Sequence, residues 1–126
     1  MSRAKDIVER ASAAGIVIAT AESCTGGMIS AAITDVAGSS QILDRGFVTY
    51  SNAAKMDMLG VSADTLDTHG AVSELVAAEM AAGALQHSNA TLTASVTGIA
   101  GPGVSDFKPE GRVCFGIATN DSVEIH

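Results

Sequence analysis

Apolar residues recur along this chain with two periods, and the switching between them lays out a fold. Residues 3–14, RAKDIVERASAA, place Ile7, Val8 and Ala11 at helical spacing with charges opposite, which predicts an amphipathic helix stopped by Gly15. Residues 16–20, IVIAT, are a continuous, largely β-branched run, as in a strand buried on both faces of an α/β sheet. The turn SCTGG (23–27) leads into an Ala/Ile-rich helix that runs to about Val36. Residues 44–50 read as a second strand, and Ser51 caps a short helix through Met58 that Gly60 closes. A polar connection with one helical turn spans 62–70. Ser73 then opens a longer helix to about residue 88, with Leu75, Val76, Met80 and Leu85 on its apolar side. TLTASV (91–96) is a third strand, 111–119 a fourth and 122–125 the start of a fifth, with a polar hairpin tip at 104–110. Strands and helices alternate early and strands pair by a hairpin late, so the expectation is an α/β fold on a mixed sheet of about four to six strands. No repeat, linker or low-complexity segment divides residues 1–126, which read as a single domain.

Composition narrows what such a fold can do. Hydrophobic residues are 47% of the 126 but aromatics only 3%, so the core is aliphatic and packed through small side chains. A net charge of −7 argues against nucleic acid or an anionic membrane as partner, since both require a basic face. Cys24 and Cys114 are the only cysteines, and neither a signal segment nor an apolar run of about 18 residues is present. The expectation is a cytoplasmic protein with free thiols. Two cysteines and three histidines without ligand spacing predict no metal, and no cofactor motif is present.

The candidate chemistry gathers in two places. GSSQILDRGFVTYSNAAK (38–55) sets Ser40 on a glycine corner, Tyr50 at a strand end and Lys55 in a helical start. Hydroxyl, phenol and amine are the groups a metal-free hydrolase with a serine nucleophile and a lysine base would use. Taken one at a time, each has a plainer account: a turn serine, a hydrogen-bonded tyrosine, a solvated lysine. The second place is the loop after each buried strand, where open α/β sheets bind ligands and where backbone N–H groups at a helix start attract anions. The plainer account, which spacing alone favours, is that Ser23 or Thr25 caps the helix there. No Gly-Lys-Ser/Thr follows, so this is not a Walker loop. The loop TGIAGPG (97–103) implies backbone pressed against a ligand or another loop. His69 reads as a structural turn residue and Cys24 as packing, while Glu22 and Asp35 are too far apart in sequence to read as an acid/base pair.

Taken together, TAESCTGG (20–27), AITDVAGSS (32–40), RGFVTYSNAAK (45–55), HGAVSE (69–74) and TGIAGP (97–102) resemble the CinA C-terminal domain family, whose members with an assigned activity are nicotinamide-nucleotide amidohydrolases. The resemblance implies a three-layer α/β/α sandwich and a metal-independent deamidation of nicotinamide mononucleotide to nicotinate mononucleotide and ammonia. It matches Ser40 to a proposed nucleophile, Lys55 to its base and Tyr50 to a supporting hydroxyl, with Ser23 and Thr97 as further hydroxyls of the site. Thr25 and Gly26 in the first loop, and Gly98, Ala100 and Gly101 in the later one, complete the expected substrate contacts. Arg45 is a candidate partner for the phosphate or carbonyl. The partner implied is a small nucleotide, with self-association open. Family members continue into a further helix that a chain ending at His126 would lack. The alternative is a non-catalytic nucleotide-binding or interaction module of the same fold.

Overall fold

A computed structural model describes residues 3–99 and 112–126. Its elements are α1 (Arg3–Ala14), β1 (Ile18–Glu22), α2 (Met28–Thr34), a 3-10 turn (Ser39–Gln41), β2 (Leu43–Val48), α3 (Asn52–Leu59), α4 (Ala63–His69), α5 (Glu74–Gln86), β3 (Leu92–Gly98), β4 (Val113–Thr119) and β5 (Val123–Ile125). The strands pair in the order β2-β1-β3-β4-β5, the first three parallel and the last two antiparallel. This is the mixed sheet expected from the sequence. Three helix starts follow from serines whose hydroxyls accept a backbone N–H: Ser51 from Ala54, Ser62 from Thr65 and Ser73 from Val76. The polar connection expected at 62–70 is thus a full short helix, α4. The 3-10 turn at Ser39–Gln41 had no counterpart among the expected elements.

Side chains alternate across a strand, so the sheet has two distinct faces. On β1, Ile18 packs with Val8, Ala11 and Ile33 against α1 and α2, whereas Ala21 packs with Leu59, Leu66, Val76 and Met80 against α3, α4 and α5. Two helical layers on opposite faces of one sheet make the three-layer arrangement. On the α5 face, β3 presents hydroxyls. Thr93 and Ser95 donate to the carbonyls of Ala81 and Ala77, both at 2.6 Å, and these bonds tie the strand to the helix where aromatic packing is absent. Gly83 lets α5 lie against the end of α3, because a Cβ there would run into the Leu59 carbonyl. Leu75, expected on the apolar side of α5, is 46% exposed; Val76, Ala77, Met80, Ala81 and Ala84 form the buried stripe. No helix among the described residues is long and apolar enough to cross a membrane.

Candidate active site

The alternation that divides the core also divides the end of β1. Glu22 falls on the α2 side and the next residue, Ser23, on the α3/α5 side. Both are almost fully buried. The Glu22 carboxylate accepts the Thr25 hydroxyl (2.5 Å) and the N–H groups of Ile29 (2.9 Å) and Ser30 (3.0 Å) in the first turn of α2. Burial pushes this carboxyl up, but the hydrogen bonds from Thr25, Ile29 and Ser30 outweigh it and hold the pKa below the usual value. The start of α2 is therefore capped from inside by the protein's own anion. The anion site expected at this helix start is filled, and Thr25 is committed to Glu22.

On the other side, Ser51 starts α3 so that Lys55, one turn in, faces the core at 1% exposure. Its Nζ donates to Ser23 Oγ at 3.0 Å and to the Tyr50 carbonyl at 3.1 Å. No carboxylate pairs with this amine among the described residues. Burial pushes the Lys55 pKa down, and the thiolate form of Cys24 is the smaller, opposing influence. Burial likewise pushes the Cys24 thiol up. A lysine desolvated without a counter-charge sheds its proton more readily, which is what a general base requires.

Ser23, Cys24, Asn52, Lys55, Thr97 and Gly98 line a pocket of about 180 Å³ that Ala71, Val72 and Tyr50 complete. Thr97 continues the β3 hydroxyl row, donating to the Ala71 carbonyl at 2.9 Å. Each of these groups lies at or just beyond the carboxyl end of a parallel strand or in the segment before α5, where an open α/β sheet places its ligand site.

The expected meeting of Ser40 and Lys55 does not occur. Ser40 is exposed on the 3-10 turn before β2, whereas Tyr50 and Lys55 follow the far end of that strand. Six residues of strand at ~3.3 Å each separate the two ends by about 20 Å. The serine that reaches Lys55 is Ser23. Tyr50 borders the pocket but supplies its carbonyl to Lys55, and its side chain is largely exposed (72% for the residue). Arg45 does not turn toward the pocket. It pairs with Asp44 at 2.7 Å and donates to the His87 carbonyl at 3.1 Å, at the C-terminal end of α5. Gly26 is exposed in the left-handed region and its N–H donates to the Ser23 carbonyl, which shapes the turn below the nucleophile candidate. Gly98 lines the pocket, while Ala100 and Gly101 lie outside the described residues. Two residues that sequence reasoning set aside enter the site: Cys24 in the wall and Glu22 beneath it. The signal for Ser23 was available, since residues just beyond parallel strands converge.

Fold and site together define an α/β domain built around a buried Ser–Lys pair. The family described as CinA C-terminal domain matches residues 1–126, and the chain belongs to it. A nicotinamide-nucleotide amidohydrolase PncC from Enterobacter agglomerans is 59% identical over 110 residues, covering 86% of this chain and 67% of the relative. The protein of the same name in Escherichia coli K12 is 52% identical over 120 residues, covering 94% and 73%. A CinA-like protein from Chlorobium phaeobacteroides is 58% identical over 105 residues, but the match spans only 25% of that longer chain. Among solved structures, the competence/damage inducible protein CihA from Agrobacterium tumefaciens superposes with a TM-score of 0.94 at 50% identity, covering 98% of this chain and 76% of that one.

Proposed function

We propose that this chain is an amidohydrolase that converts nicotinamide mononucleotide to nicotinate mononucleotide and ammonia, with Ser23 as nucleophile and Lys55 as base. The names of the PncC relatives support the reaction class and the nucleotide. The observation that carries the residue roles is the 3.0 Å contact between Lys55 Nζ and Ser23 Oγ, buried and without a competing carboxylate among the described residues.

A carboxamide is a poor electrophile, so the serine must lose its proton as it attacks. Neutral Lys55 takes that proton while Ser23 Oγ bonds to the carboxamide carbon. The N–H groups of Cys24 and Thr25, the two residues that follow Ser23 in the turn, are the candidate donors to the oxygen that becomes negative. The Lys55 ammonium then returns the proton to the departing nitrogen, the C–N bond breaks, and ammonia leaves an ester on Ser23. Water attacks the ester with Lys55 again as base, releasing the carboxylate and restoring the hydroxyl. The cationic pyridinium ring of the substrate adds to the bias toward neutral lysine by repelling the ammonium form.

Ammonia release from nicotinamide mononucleotide by the purified chain tests the reading. Turnover is expected in wild type and Ser40→Ala and absent in Ser23→Ala and Lys55→Met. Wild-type turnover by Ser23→Ala would remove the dyad. Tight nucleotide binding with no turnover would leave the non-catalytic module as the better reading.

A further inference from the structure

A mononucleotide carries a phosphate that needs a cation or a cluster of N–H groups, and the places first expected to supply one are taken. Glu22 fills the start of α2. Arg45 is held by Asp44 and the His87 carbonyl. Lys55 faces Ser23, and Arg10 pairs with Asp6 on α1. Arg3 and Lys5 also lie on α1, a helix that packs on the opposite face of the sheet.

What remains among the described cations is Arg112, just before β4. Its carbonyl accepts the Ile99 N–H at 2.9 Å, which fixes its backbone beside Gly98 and the pocket, while its guanidinium has no partner among the described residues. The residue is exposed and borders a cavity of about 310 Å³ with His69, Ser73, Glu74 and Leu75. His69 is the last residue of α4, and its imidazole also has no partner among the described residues. Ser73 takes the N–H of Val76, which leaves the N–H groups of Glu74 and Leu75, at the start of α5, without an acceptor among the described residues.

This cavity and the Ser23–Lys55 pocket are lined by neighbouring residues of the same two segments. Ala71 and Val72 belong to the pocket, while His69 and Ser73 on either side of them belong to the cavity. Gly98 lines the pocket and sits opposite Val113, the neighbour of Arg112. One residue separates His69 from Ala71, and none separates Val72 from Ser73 or Val113 from Arg112. A pyridine ring and a ribose intervene between the carboxamide and the phosphate of a mononucleotide.

We propose that the cavity between His69 and Arg112 is the anion subsite that holds the phosphate of the substrate. The inference rests on the mononucleotide reading above. Arg112 presents a fork suited to two phosphate oxygens, and the start of α5 adds N–H donors. Glu74 is the opposing charge in the cavity, so the subsite selects for a ligand that the guanidinium can reach without meeting that carboxylate.

The test compares nicotinamide mononucleotide with its riboside, which lacks the phosphate, in wild type, Arg112→Gln and Glu74→Gln. Arg112→Gln raises KM for the mononucleotide roughly tenfold or more, as loss of a charge-assisted hydrogen bond does, with kcat and the riboside KM unchanged. Glu74→Gln lowers the mononucleotide KM. An equal effect of Arg112→Gln on both substrates, or none on either, overturns the subsite. Inorganic phosphate titrated into the whole chain and followed by amide NMR gives an arm independent of turnover. Shifts at His69, Glu74, Leu75 and Arg112 that vanish in Arg112→Gln support the subsite, and their absence in wild type overturns it. If neither amide is hydrolysed, the amidase reading fails while the titration still decides the subsite.

Discussion

The two ends of β2 are built from one continuous stretch of sequence and do different work. At its carboxyl end, with those of β1 and β3, Ser23, Lys55 and Thr97 are buried around a pocket. At its amino end, Ser40 is exposed, and Arg45 and Asp44 close a surface pair beside the end of α5. Both ends hold a serine and a cation, the pairing that reads as chemistry in a linear sequence. Only one end removes them from water without a counter-charge among the described residues, and that difference separates a candidate base from a stabilised ion pair.

The widest separation between the ends lies in the rate. Ser23→Ala and Lys55→Met each lower kcat for deamidation by at least ~10³-fold, because nucleophile and base act as one unit. The double variant is little worse than either single one. Ser40→Ala changes kcat less than about twofold, as expected of an exposed turn hydroxyl. Steady-state ammonia release from the variants checks all of these, and a large loss in Ser40→Ala with none in Ser23→Ala would exchange the roles of the two ends.

Next in size is the framework under Ser23. Glu22→Ala removes the acceptor for two partly buried N–H groups and the Thr25 hydroxyl and leaves a void. A loss of about 2–4 kcal/mol is expected in denaturant unfolding. The folded-state pKa of Glu22 lies below its unfolded value, so its contribution is complete above about pH 4.5 and is lost as pH falls through the lower folded value. Glu22→Gln removes that part of the acid limb of the stability profile.

These effects bear on how much of the molecule could be read in advance. The β-branched run before Glu22 and the alternation in TLTASV carry strand and face directly, and Ser51 and Ser73 sit where a cap belongs. The site was legible as a set of loops and illegible as a pair. Lys55 lines the pocket, but Ser40, which the resemblance pairs with it as nucleophile, is carried the length of the sheet away by the strand between them. Ser23 lies 32 positions from Lys55, and only the parallel pairing of β1 with β2 brings their ends together. Glu22 was harder still. A carboxylate after a buried strand looks solvated until the turn of Gly26 and Gly27 brings the first N–H groups of α2 back over it.

The pH dependence of the buried amine is a smaller effect, and its sign is specific. Burial lowers the folded-state pKa of Lys55 below the ~10.4 of an unfolded lysine. Between those two values the unfolded chain binds more protons than the folded one, so stability rises with pH across that window. Lys55→Met removes this rise, and the difference between the unfolding profiles of wild type and variant shifts toward wild type with increasing pH. The kcat/KM of wild type climbs over the same range, with its inflection below the ordinary lysine value. An inflection at or above that value would mean that the amine is solvated.

The smallest expected effect belongs to the other end of β2. Asp44 is held below its usual pKa first by the Asn89 N–H, against a smaller effect of burial, and then by Arg45. Because the backbone N–H remains when Arg45 is replaced, the carboxylate keeps its main partner. The Arg45 side chain is 45% exposed, so solvent screens the pair. Arg45→Gln is therefore expected to lower stability by less than about 1 kcal/mol, with a share that salt abolishes, and to leave KM for the mononucleotide unchanged. A KM rise in Arg45→Gln that matched the one expected in Arg112→Gln would mean that the phosphate lies toward the amino end of β2, and the contrast between the two ends would lose its chemical basis.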